Sequence, residues 1–132
     1  MCDERTDVIK LMNWDDGDVG QTSSLEVVRR CFLKIVKGKG RGKELKLGSE
    51  SVVAGRSSFA DLFLDTASAS RKHFEVVSET GGYVLRDLNS TNGTAVNRTR
   101  VAECRLSDGD IISVGNIDMV YFEKTRLERK SG

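Results

Sequence analysis

The chain is poor in the residues on which catalysis usually depends. It has one histidine, His73, and no acid pair or cysteine beside a plausible base. Ser70 lies three residues before His73, but a serine nucleophile needs a base held by a third group and an oxyanion site, and neither is apparent. The sequence therefore reads as that of a binding protein and not an enzyme, with a Ser70/His73 hydrolase as a remote alternative. Aromatic residues make up only 6% and none interleaves with the basic run Lys37 to Lys46, so bases would find no stacking platform there. No stretch approaches 18 consecutive apolar residues, and the first residues are Cys2, Asp3 and Glu4 in place of a basic patch before an apolar run, which argues against a membrane span or secretory signal. The three cysteines are odd in number and lack metal-ligand spacing; no metal or cofactor is expected, and the setting reads as a reducing cytoplasm.

Net charge is also nearly absent, at +1, but it is unevenly placed. Residues 1 to 24 hold six acids against Arg5 and Lys10, a net of −4 that leaves +5 on the rest. Asp15, Asp16, Gly17, Asp18 and Gly20 read as a solvated stretch, so residues 1–30 are expected to form an acidic, largely flexible arm. Arg29 through Lys46 then carry eight basic residues against the single acid Glu44. That run supports a second reading, a basic β-domain binding nucleic acid, although no groove-reading helix accompanies it. Its glycines do not make a phosphate loop, because Glu44 stands where Ser or Thr is needed and the spacing is wrong.

What the sequence does contain is a series of short apolar runs separated by Gly, Ser, Asn and Asp. Strands are predicted at 31–36, 44–47, 51–55, 62–64, 74–78, 83–88, 95–96, 111–114 and 117–123. So many short strands predict an all-β fold, two antiparallel sheets packed as a sandwich whose loops gather at the two ends. Residues 124–132 are charged helix formers without an apolar face, read either as the start of a linker helix to an output domain or as a frayed tail.

Three segments stand at predicted strand ends. Gly55-Arg56 closes one strand, Ser70-Arg71-Lys72-His73 precedes another, and Asn89 to Thr94 links two more. Brought together, they would place guanidinium, hydroxyl and amide donors around one point with almost no acceptor-only group, an anion site in which Arg56 and Arg71 fork onto phosphate oxygens and Ser70 and Thr91 add hydroxyls.

Gly55-Arg56, Ser70-x-x-His73 and Ser90-Thr91-Asn92-Gly93-Thr94-x-Val96-Asn97, in this order and spacing, resemble the forkhead-associated (FHA) family, and Leu106 to Gly115 resembles its closing loop and strand. The resemblance spans residues 31–123 and implies a sandwich of about 11 short strands that binds phosphothreonine peptides in Ser/Thr-phosphorylation signalling. It implies that Arg56, Ser70, Arg71 and Thr91 hold the phosphate, that Asn92 bonds the ligand backbone, that Gly55 and Gly93 are turn glycines, and that His73 braces the loops. Ala69 departs from the family, which usually has a larger aliphatic residue there. The implied partner is a phosphothreonine-containing protein made by an upstream Ser/Thr kinase. The arm itself supplies two candidates, Thr6 with Ile9 and Thr22 with Leu25 at the +3 position that the family commonly reads. Binding of the phosphorylated arm, within one chain or between two, is therefore a further expectation.

Overall fold

The computed structural model describes residues 25–129, which form eleven strands: β1 (Leu25–Lys37), β2 (Glu44–Leu47), β3 (Val52–Gly55), β4 (Leu62–Phe63), β5 (Phe74–Glu79), β6 (Gly82–Asp87), β7 (Thr94–Val96), β8 (Thr99–Val101), β9 (Glu103–Arg105), β10 (Ile111–Val114) and β11 (Ile117–Arg129). They make a six-stranded sheet in the order β2-β1-β11-β10-β7-β8 and a five-stranded sheet in the order β4-β3-β5-β6-β9. Alternation along the strands accounts for the sandwich: Cys31, Leu33 and Ile35 of β1 and Ile117, Met119 and Tyr121 of β11 point inward, against Phe74, Val76 and Leu85 of the other sheet, and all are buried. The intervening Phe32 and Phe122 stack on the outer face with centroids 5.1 Å apart, beneath the Lys124 ammonium.

Two expectations about the chain ends are corrected, and a third about strand direction. Residues 25–30 belong to β1 and not to an arm, and residues 124–129 continue β11 and do not begin a helix. The reason is pairing: β1 and β11 match residue for residue from Leu25↔Arg129 to Cys31↔Glu123, so each supplies the other's backbone partners and overrides local helix propensity. Within the sheets the pairs are antiparallel except β3 and β4, which run parallel. The short strands β8 and β9 were not foreseen individually. Neither 99–101 nor 103–105 has an apolar alternation long enough to mark a strand.

The topology separates two ends. At one lie the C-terminus of β1, the β10–β11 turn and the loops after β3, before β5 and after β6. At the other, the Arg29 guanidinium donates to the Gly81 carbonyl in the β5–β6 turn. β2 pairs with β1 only over Cys31–Lys34, so residues 25–30 and 124–129 form a two-stranded ribbon running past that second, basal end.

Candidate functional site

The apical loops are fastened to one another by backbone bonds before any side chain acts. Arg56 N–H donates to Ser70 O (2.9 Å), Ser57 N–H to Arg71 O (3.2 Å) and His73 N–H to Ala54 O (2.8 Å), which lays the 70–73 segment along the end of β3. Gly55 makes this approach feasible. It lies in β3 without a left-handed φ, so it is not the turn glycine expected; a Cβ there would stand 2.0 Å from Arg71 O. Gly93 does have a positive φ, +85°, and it turns the chain from the β6–β7 loop into β7.

His73 is fully buried and serves two loops. Its Nδ1 accepts the Ser70 N–H (2.9 Å), which leaves the hydrogen on Nε2 to be donated to Gly93 O (2.9 Å). Ser70 Oγ meanwhile accepts the Thr91 N–H at 3.1 Å. The histidine thus addresses the Ser70 backbone, not its hydroxyl, and the hydrolase alternative has no base for its nucleophile.

The β6–β7 loop is organised from within by Asp87. Its carboxylate accepts the Ser90 N–H (3.0 Å), the Ser90 hydroxyl (2.6 Å) and the Thr94 hydroxyl (2.7 Å), and Ser90 Oγ in turn accepts the Gly93 N–H (3.0 Å). Burial alone would raise the Asp87 pKa, but the bonds from Ser90 and Thr94 outweigh it and hold the carboxyl below its ordinary value. Asp87 went unremarked in the sequence. The available signal was its place seven residues before Thr94, at the end of an apolar strand.

On this frame the side chains expected to face a ligand stand at one end. Arg56 is exposed, and its Nε is anchored on Ala69 O (3.0 Å), which fixes the guanidinium plane beside Ser70. Arg71 and Thr91 are exposed at the same end. Asn92 reaches across to donate to Ser68 O (2.9 Å), a loop-to-loop bond that sequence reasoning did not anticipate, and its Oδ1 has no partner among the described residues. No carboxylate of the described residues lies within salt-bridge distance of Arg56 or Arg71. Two cations, two hydroxyls and an amide, without a counter-charge among the described residues, form a donor-rich surface of the chemistry that suits an anion. Ala69 fits its place, 3% exposed in the core. Thr6 and Thr22 lie outside the described residues.

The FHA domain model matches residues 52–115, the span that contains every one of these groups. A structure solved for phosphothreonine-dependent FHA domain interactions superposes with a TM-score of 0.65 at 34% identity, covering 70% of this chain and 95% of that one. The chain belongs to the FHA family. The crystallised FHA domain of FhaA, bound to the intracellular domain of Rv3910, gives a TM-score of 0.64 at 35% identity over 69% of this chain and 98% of its own. The glycogen accumulation regulator GarA of Mycolicibacterium smegmatis is 35% identical over 91 residues, 69% of this chain. The chain spans only part of the curated relatives it matches, 58% of GarA and as little as 11% of another. An FHA domain is a binding module and not a catalyst.

The basic run is dispersed by the fold. Arg29 sits at the basal end, Lys34 and Lys46 lie along β1 and β2, and Lys39 to Lys43 occupy the apical β1–β2 loop, so the run extends from one end of the sandwich to the other and no groove-reading helix accompanies it among the described residues. No helix of the described residues is long and apolar enough to cross a membrane, and these residues contain no cluster of potential metal ligands.

Proposed function

We propose that the apical face binds a phosphothreonine-containing segment of a protein partner in Ser/Thr-phosphorylation signalling, and that the domain is a regulatory module working in the cytoplasm downstream of a Ser/Thr kinase. The observation that carries this reading is the pair Arg56 and Arg71, exposed beside Ser70 and Thr91 without a counter-charge among the described residues. Arg56 is pre-aimed by its bond to Ala69 O, so its remaining N–H groups can fork onto a phosphate at little entropic cost. Ser70 Oγ already accepts from Thr91 N–H, which leaves its hydrogen for a phosphate oxygen. Asn92 offers Oδ1 to a ligand backbone N–H, setting register without reading sequence. The solved FHA complexes are consistent with this, one containing the intracellular domain of Rv3910 and another, EmbR of Mycobacterium tuberculosis, a low-affinity phosphopeptide.

Fluorescence anisotropy with matched phosphothreonine and threonine peptides tests the proposal. Binding is expected only for the phosphorylated form, and Arg56→Ala is expected to weaken it about 10- to 150-fold, the equivalent of a charge-assisted contact of about 1.5–3 kcal/mol. Equal binding of both peptides, or of wild type and variant, refutes it.

A further inference from the structure

The β1–β2 loop stands at the same end of the sandwich as the phosphate site, and its charge has no role in the site described above. It carries Lys39, Arg41 and Lys43, each directly after a glycine of positive φ (38, 40 and 42), and all three side chains are exposed. The loop shape is held by the backbone: Gly42 N–H donates to Ile35 O (2.8 Å), Lys43 N–H to Gly40 O (2.9 Å) and Arg41 N–H to Gly38 O (3.2 Å). A built loop that displays cations differs from a solvated tail, because its charges are presented in one place.

A chain of close contacts links this loop to the phosphate site. A Cβ on Gly38 would meet Asn116 O at 2.8 Å, and one on the adjoining Gly115 would meet the Ser68 Cβ at 2.5 Å. Ser68 is the residue whose carbonyl receives Asn92, two positions before Ser70. Lys39 comes within 3.9 Å of Asp65 in the same β4–β5 loop, and the Lys43 ammonium stands 5.9 Å from the Phe63 ring centroid. Among the described residues no carboxylate comes within salt-bridge distance of Arg41 or Lys43. The sheet order puts β2 and β4 on one flank, whereas Thr91 and Asn92 stand on the β6–β7 side. The basic loop therefore flanks the phosphate site on one side only.

We propose that the β1–β2 loop is a second anion-recognition element, selecting phosphothreonine peptides that carry a further anionic side chain on the flank toward that loop. The contacts from Ser70 to Gly38 add up to about 15–20 Å, which an extended peptide covers in about three to six residues once the reach of Lys39 and Arg41 is included. The ligand chemistry is a carboxylate or a second phosphate on the same chain as the phosphothreonine. This rests on the phosphothreonine reading, and the experiment separates the two.

The test is anisotropy with peptides holding one phosphothreonine in an otherwise uncharged context, with Glu or phosphoserine placed singly at each of the seven positions on either side. On one side only, a window of positions is expected to tighten binding about five- to thirtyfold, phosphoserine more than Glu, with the gain fading as salt is raised. The exposed substitutions Lys39→Gln, Arg41→Gln and Lys43→Gln together, and Arg41→Gln alone, are expected to remove or reduce the gain while leaving the singly charged peptide bound as before. A flat scan, a gain symmetric about the phosphothreonine, or a gain retained in the triple variant overturns the proposal. Failure of wild type to bind any phosphothreonine peptide overturns the underlying reading instead, and binding of an oligonucleotide that the triple variant loses assigns the loop to nucleic acid.

Discussion

His73 and Gly93, twenty residues apart, are joined by a 2.9 Å bond from the imidazole Nε2–H to the backbone carbonyl, while Nδ1 of the same buried ring holds the Ser70 N–H. One side chain therefore sets the spacing between the loop that offers Ser70 and the loop that offers Thr91. His73→Ala leaves a partly buried donor, the Ser70 N–H, and a partly buried acceptor, the Gly93 carbonyl, unpaired and opens a cavity, and is expected to cost about 2–4 kcal/mol of stability. Urea unfolding measures that cost. Phosphopeptide affinity should fall too, although His73 is predicted not to touch the ligand.

Asp87 gives the site an acid limit. Its folded-state pKa lies below the ordinary value of 3.8 because the hydrogen bonds from Ser90 and Thr94 outweigh the effect of burial. A depressed carboxylate pKa contributes stability that is fully present above the unfolded value and is lost as pH falls through the folded one. Asp87→Asn is expected to be less stable at neutral pH by about 1–3 kcal/mol, and to lose less of its stability than wild type between about pH 5 and pH 2. Unfolding midpoints across that range check both parts; parallel profiles for the two proteins would exclude the role assigned to Asp87.

Gly55 tests close approach. A methyl group 2.0 Å from Arg71 O cannot be absorbed by rotating a side chain, because the obstructing atom is backbone. Gly55→Ala must push the 70–73 segment off β3 and is expected to destabilise by at least about 3 kcal/mol, lowering the thermal midpoint and displacing Ser70 and Arg71 together.

The contrast between what could and could not be read in advance follows from these same residues. Arg56, Ser70 and His73 were legible because their types, order and spacing coincide, and strands such as β5 and β10 because apolar alternation marks them. Asp87 was not, since a single carboxylate before a loop looks like any solvated turn until the hydroxyls of Ser90 and Thr94 are seen folded back onto it. Gly55 looked like a turn glycine because sequence shows the absence of a side chain but not the carbonyl that occupies its place. The ends were misread for a related reason. Lys124 to Arg129 are good helix formers in isolation, and only the partner strand at Leu25 to Arg30, about a hundred residues away along the chain, explains why they extend.

That ribbon decides how the two candidate threonines of the arm could be used. β1 runs from Leu25 at the basal end to Lys37 at the apical end, twelve steps of about 3.3 Å, or about 40 Å. Thr22 precedes Leu25 by three residues, a reach of about 10 Å, so with β1 paired to β11 it cannot enter the site of its own chain. Thr6 precedes Leu25 by nineteen residues, a reach of more than about 60 Å, and it can. Phosphorylation at Thr22 is therefore expected to make the protein associate between chains, and phosphorylation at Thr6 to occupy the site within one chain at the roughly millimolar effective concentration of a tethered ligand. Analytical ultracentrifugation of the two singly phosphorylated proteins tells these apart. The Thr22 form should show mass rising with concentration and the Thr6 form should stay monomeric, both differences disappearing in Arg56→Ala. A monomeric Thr22 form that no longer accepts an added phosphothreonine peptide would mean that the ribbon opens, because only release of β1 from β11 lets that threonine reach across the domain.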